Sequence, residues 1–138
     1  MLRGSCACGE VRYEVDGAVE EAHHCHCGVC RKSHGAAFAT FARVRAKGLR
    51  VASGSELLTV HRSTPQGART FCGRCGSSLF FAHDAAAKYV WLAAGTLDGD
   101  TGEALRPDAH TFVGSKASWW SIADDLAQHP RQRPEYGG

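Results

Sequence analysis

Val11, Tyr13 and Val15 alternate with Glu10, Arg12 and Glu14, which gives one apolar and one polar face at period two and predicts a half-buried strand. Asp16 and Gly17 turn the chain out of it. Residues 19–24 predict a second short strand that delivers Cys25. His23 and His24, adjacent within it, point to opposite faces and cannot both serve one site, so they read as surface or supporting residues. Residues 36–44 predict a strand covered on both sides, with Phe38 on one face and Ala39 and Phe41 on the other. The β pattern continues through 49–51 and 57–61, broken by Ser53, Gly54 and Ser55. Residues 68–71 lead into the turn at 72–76, and 79–81 lead out of it. Residues 89–92 form a strong strand run, and 110–113 a final short one. Residues 31–35 read as a polar turn, and 82–88 as a helical turn or an exposed connection. Trp119, Ile122, Ala123 and Leu126 fall at i, i+3, i+4 and i+7. That spacing predicts a short C-terminal helix, capped by Ser115 or Ser118 and ended by Pro130. The expectation is a mainly β domain over 1–130, followed by a loose tail over 131–138.

Cysteine placement changes this picture most. All seven cysteines fall in three clusters: Cys6 with Cys8, then Cys25, Cys27 and Cys30, then Cys72 with Cys75. A CxC or CxxC turn aims both sulfurs at one point, so the pattern suits chelation of a soft or borderline cation such as zinc. A closed zinc site takes four protein ligands, whereas a catalytic one takes three and keeps a position for water or substrate. Seven thiols divide as four plus three, with the outer pairs meeting as a clamp and the central triplet supplying three ligands from one loop. Two alternatives stand beside this division. One is a four-thiolate site plus a central site closed by His26 or His34. The other is a disulfide scaffold, which the odd cysteine count and the lack of a recognisable leader weaken.

Length and charge set the remaining bounds. At 138 residues the chain is long enough for a substantial core without a metal to compensate for size. Free thiolates suit a reducing, cytoplasmic compartment, and no apolar run is long enough for a membrane helix. Seven thiolates and two zinc ions would bring the formal charge of +2 to about −1. With no basic block and no spacing of paired cysteines and paired histidines, a dedicated nucleic-acid binder is not expected.

Gly4-Ser5-Cys6-Ala7-Cys8-Gly9, Cys25-His26-Cys27 with Cys30-Arg31-Lys32, and Phe71-Cys72-Gly73-Arg74-Cys75-Gly76-Ser77 together resemble the glutathione-dependent formaldehyde-activating enzyme family, also called the centromere-protein-V-like family. The likeness extends through Gly95-Thr96-Leu97-Asp98, Pro107 to His110, and Lys116 to Trp119. It implies a tent-like β fold with two zinc ions: a structural one on Cys6, Cys8, Cys72 and Cys75, and a catalytic one on Cys25, Cys27 and Cys30. It also implies a carbon–sulfur lyase activity, in which S-hydroxymethylglutathione is made from formaldehyde and glutathione or cleaved to them. The partners it implies are glutathione or another small thiol and a small aldehyde, with a homo-oligomer left open.

Around that centre, Arg31 and Lys32 offer cationic contacts to a glutathione carboxylate. His34, where the family pattern has a small residue, could fold back over the metal as a fourth ligand or reshape the substrate pocket. His26 lies between two ligands, and its ring is expected to point away from the sulfurs in a supporting or packing role. His83 and His110 carry no functional signal. Phe38, Tyr89 and Trp91 could wall a pocket, but each also serves a strand pattern. The competing class is a non-catalytic, zinc-stabilised binding or scaffold module, in which an imidazole closes the central site.

Overall fold

The structure, a computed structural model, describes residues 1–134. In chain order its strands are β1 (Leu2–Ser5), β2 (Arg12–Val15), β3 (Glu21–Cys25), β4 (Ala39–Arg45), β5 (Leu49–Ser53), β6 (Leu58–Arg62), β7 (Gly67–Cys72), β8 (Ser78–His83), β9 (Tyr89–Ala93), β10 (Ala109–Thr111) and β11 (Ala127–Gln128). One α-helix among the described residues, α1 (Gly28–His34), joins β3 to β4. Two sheets result. A three-stranded antiparallel sheet runs β1-β2-β5, and an eight-stranded sheet runs β11-β10-β3-β4-β9-β8-β7-β6. The large sheet is antiparallel except at one edge, where β10 lies parallel to both β3 and β11.

Alternation in β2 places Val11, Tyr13 and Val15 fully inside, where they pack with Ala42, Val44, Leu79, Phe80 and Leu92 of the large sheet. Burying each of the larger of these side chains contributes about 1.5–3 kcal/mol. The Tyr13 ring meets Phe80 edge-on at 5.0 Å. Thr96 donates to the Ala93 carbonyl, so the Tyr13 hydroxyl, 2.7 Å away, donates to Thr96 Oγ1. Gly4 lies under that ring, where a Cβ would come within 2.1 Å of it. The opposite face of the large sheet carries a second cluster of Cys25, Cys30, Ala39 and Phe41, with Phe81 and Trp91 against it. β4 therefore has both faces covered, with Ala42 and Val44 toward one cluster and Ala39 and Phe41 toward the other.

Several expectations are changed or sharpened by the fold. Residues 31–35, expected as a polar turn, lie in and just after α1: Cys27 caps its start, and Gly35, left-handed at φ 59°, donates back to the Arg31 carbonyl. Arg31, Lys32 and His34 fall in its last turn, where the helix dipole favours cations. The ambiguous 82–88 stretch is strand to His83 and then a 3₁₀ turn, Asp84–Ala86.

The expected C-terminal helix is absent. Val113–Ser115 is a 3₁₀ turn, the chain then runs irregularly, and β11 adds to the sheet edge. A short helix depends on packing of its apolar face, and here Trp119 is 69% exposed and Trp120 40%. Backbone pairing replaces helical bonds, with His129 donating to His110 O at 2.9 Å and Phe112 donating to Arg131 O at 2.9 Å. The Lys116 ammonium donates to the carbonyls of Ala117 and Trp120. No helix among the described residues is long and apolar enough to cross a membrane.

Of the tail expected to be loose, 135–138 lie outside the described residues, and the part before them is tied down. Arg133 is 8% exposed. Its guanidinium donates to Glu21 Oε1 at 3.0 Å, to the Ala22 carbonyl at 3.3 Å and to Asp108. Burial raises the Glu21 carboxyl pKa, but His23 and Arg133 outweigh it and hold the group below its ordinary range. Replacing Arg133→Ala is expected to cost about 3 kcal/mol in urea unfolding, because it strips a guanidinium partner from a buried carboxylate. The Glu21 contribution should be fully present above the ordinary carboxyl pKa and lost as pH falls through the lowered folded value. A loss below about 1 kcal/mol would show that the C-terminal segment is not held by this pair.

Candidate metal centres

Cys6 and Cys8 lie in the turn after β1, Cys72 ends β7, and Cys75 lies in the turn from β7 to β8. The two turns resemble each other. Gly9 donates to Cys6 O at 3.0 Å and Gly76 to Cys72 O at 2.7 Å, with both glycines left-handed at φ 79° and 81°. In each, a backbone N–H points at a sulfur: Val11 to Cys6 at 3.3 Å and Cys75 to Cys72 at 3.5 Å. The four sulfurs lie within 4.8 Å of one another, with Cys6 to Cys8 at 3.5 Å and Cys8 to Cys72 at 4.0 Å. Tetrahedral zinc with bonds of about 2.3 Å spaces its sulfurs by about 3.8 Å, so the donor set fits. Hydrogen bonds from the Ser77 hydroxyl and amide hold Cys75 down at about 5, poised as a thiolate.

The other group comprises Cys25, Cys27 and Cys30, again with sulfurs within 4.8 Å. Cys25 ends β3, Cys27 caps α1, and Cys30 is the buried residue of that helix, its N–H donating to Cys27 Sγ at 3.3 Å. Hydrogen bonds from Cys25 and Cys30 hold Cys27 far below the ordinary thiol range, while Cys25 is driven up by the same contacts. One charge is thus favoured among three crowded sulfurs, and a cation between them would allow all three to ionise. All seven cysteines are free. The two groups reproduce the four-plus-three division.

Neither His26 nor His34 joins the three-thiol group. His26 is fully buried and turns toward His110, with Nε2 to Nδ1 at 2.8 Å, and His110 Nε2 donates to Asp124 Oδ2 at 3.0 Å. With His110 Nε2–H donating to the carboxylate, His110 Nδ1 is left to accept from His26 Nε2–H. Burial, followed by the adjacent His110, pushes His26 down to about 4, so the ring is neutral near pH 7. His24 bonds Thr40 Oγ1 at 2.8 Å and stacks near Phe38 and His110, its centroids 4.5 and 4.9 Å from theirs. This places Phe38 among the histidines.

A cleft of about 290 Å³ has a wall that includes Ser33, His34, Phe41, Arg69, Ser78 and Phe81; none of the three cysteines lines it, and Arg69 links it to Cys30. His34 meets Phe41 edge-on at 5.4 Å, and burial, with Arg69 adding to it, holds its pKa below the ordinary value. Arg69 on β7 donates from Nη2 to Cys30 Sγ at 3.4 Å and from Nε to Ser63 Oγ at 3.0 Å. Arg31 and Lys32 do not line this cleft, nor does Tyr89 or Trp91. His83 instead accepts from the Ala85 amide at 3.2 Å.

Sequence reasoning missed Arg69, His110 and Asp124. A charged residue at a half-buried strand position just before a CxxC turn was the available signal for Arg69. No local signal joins His110 to His26, because a parallel strand pairing brings them together.

Fold and site define a two-sheet β protein with two thiol groups able to hold metal, one at the junction of its sheets and one beside a cleft. The family model for the glutathione-dependent formaldehyde-activating enzyme matches residues 1–115, and the chain belongs to that family. It is 28% identical over 130 residues to a Halomonas elongata protein whose name gives it provisionally as a glutathione-dependent formaldehyde-activating enzyme, covering 88% of this chain and 81% of that one. It also resembles the crystal structure of a Rhodobacter sphaeroides protein, with a TM-score of 0.61 and 29% identity over 71% of this chain and 89% of that chain.

Replacing His110→Ala should leave the buried Nε2–H of His26 without a partner and cost about 1–3 kcal/mol. Thermal unfolding of the two proteins side by side measures this. An unchanged melting temperature would mean that the His26–His110–Asp124 chain does not brace the thiol loop.

Proposed function

We propose that the protein is a zinc-dependent carbon–sulfur lyase that forms or cleaves the adduct of a small thiol, foremost glutathione, with formaldehyde or a similarly small aldehyde. The observation that carries this reading is the contrast between the two groups: four thiols close on themselves, while three converge behind Arg69, which lines a cleft, and stop short of a fourth protein ligand. Cys6, Cys8, Cys72 and Cys75 would hold a structural zinc, and Cys25, Cys27 and Cys30 a second. When bound there, zinc supplies a position at which a substrate thiol sits as its thiolate.

The chain's own residues account for the rest. In the forming direction the thiol sulfur attacks the aldehyde carbon, the S–C bond forms, and the carbonyl oxygen gains a proton. In cleavage the hydroxyl proton leaves, the C=O bond re-forms, and the thiolate departs. His34 suits the proton transfer, because its ring lines the cleft and burial favours its neutral, proton-accepting form. Phe41 and Phe81 exclude water from one wall. Arg31 and Lys32, on the last turn of α1, add positive charge to the approach of an anionic thiol. Three thiolate donors leave the metal a weak Lewis acid, so orienting two reactants is the main catalytic contribution.

Reduced protein should carry two zinc ions per chain by elemental analysis, and one or none in intact protein would refute the reading. Cys72→Ser should impair folding, since metal binding and folding free energy are linked. Cys27→Ser should remain folded with one zinc fewer, and equal loss of circular dichroism in both would overturn the assignment of roles.

The reaction itself proceeds in water, so catalysis must be read against that background. Two-dimensional exchange NMR of isotopically labelled formaldehyde with glutathione should show faster interconversion with the protein than without it. The acceleration should vanish for Cys27→Ser, and identical rates in all three samples would remove this reaction.

A further inference from the structure

Arg43, Arg45, Arg50, Arg62, Arg74, Arg106 and Arg133 each lie against a carboxylate. Arg69 is half-buried, yet it makes no such pair among the described residues. Its protein partners are a serine hydroxyl and the Cys30 sulfur, and its guanidinium carbon sits 5.0 Å from the centroid of the Phe81 ring. A guanidinium carries five N–H donors in a fixed fork, and two are engaged, so three are left for the cleft that Arg69 lines. No Asp or Glu lines that cleft, whereas His34, His61, Ser33 and Ser78 do. A half-buried cation in an acid-free, donor-rich cleft is a site for an anion brought from outside.

The contact with Cys30 fixes where that anion must be relative to the chemistry. One nitrogen of the fork touches a sulfur of the three-thiol group, so an anion on the remaining donors lies one guanidinium width from it. A single small molecule can then place a carboxylate on Arg69 and its own sulfur at the three-thiol centre. We infer that the cleft is a carboxylate subsite with Arg69 as its anchor, and that it selects thiols carrying a carboxylate a few bonds from sulfur over neutral thiols. This rests on the reading of the chain as an enzyme of small thiols, and it moves the recognition of substrate charge from α1 to β7. The aromatic wall of Phe41 and Phe81 lowers the local dielectric and strengthens the pair.

The test is binding without turnover. Zinc-loaded protein is titrated with mercaptopropionate and, separately, with neutral mercaptoethanol, following amide chemical shifts. The wild type should bind the carboxylated thiol about ten-fold or more tightly, as expected for a charge-assisted pair. Arg69→Gln should lose that preference while keeping its affinity for mercaptoethanol and its zinc content, and Arg69→Lys should retain part of it. Equal affinity of the wild type for the two thiols overturns the subsite without recourse to any variant. So does an undiminished preference in Arg69→Gln. If the preference is present and depends on Arg69 but aldehyde exchange is not accelerated, the subsite stands and the lyase reading falls. If exchange is accelerated and the two thiols bind equally, the lyase reading stands and the subsite falls.

Discussion

The crowding of seven sulfurs into two tight groups is the constraint on which this structure depends. Cys6 and Cys8 leave the small sheet, Cys72 and Cys75 the large one, and their sulfurs meet at distances that four uncompensated charges would not tolerate. A cation held among them would turn that repulsion into a tie between segments 64 residues apart at Cys8 and Cys72. Closing so long a loop removes unfolded-state entropy in the manner of a cross-link. The adjoining core of Val11, Tyr13, Val15, Leu79 and Leu92 then has its two layers fixed at one edge as well as by packing.

Placing one thiol group at the sheet junction and the other on the far face of the large sheet separates two demands. The first group is bounded by two similar glycine turns whose N–H groups already point at sulfur. The second is built on a strand end and one short helix, with histidines behind it and the cleft beside it. The large sheet separates the two faces: Ala42 and Val44 of β4 look toward the core, while Ala39 and Phe41 look toward the three-thiol group.

The thiol groups were legible because ligand chemistry is local: CxC and CxxC turns declare themselves within a few residues. Strands with clean alternation, such as 11–15, were legible for the same reason. What escaped was set by distant partners. The stripe of Trp119, Ile122, Ala123 and Leu126 has helical spacing, yet these residues run irregularly, and pairing of β11 with β10 ties the chain just beyond them to the sheet. The short polar run after Cys30 became helical because Cys27 and Gly35 cap it at both ends. Arg69, His110 and Asp124 acquire their roles only across strands, through contacts that no sequence window contains.

The parallel seat of β10 beside β3 carries a consequence for the order of folding. His110 and Thr111 align with His24 and Cys25, and His26 donates its amide to the Thr111 carbonyl at 2.9 Å. The neighbouring pairing of β3 with β4 is a nearby antiparallel one that can form early, whereas pairing of β10 with β3 must bring together His24 and His110, 86 residues apart. During synthesis the loop bearing Cys25, Cys27 and Cys30 therefore exists for most of the chain's emergence without its brace. Its three thiols spend that interval without the His110 ring behind their neighbour His26.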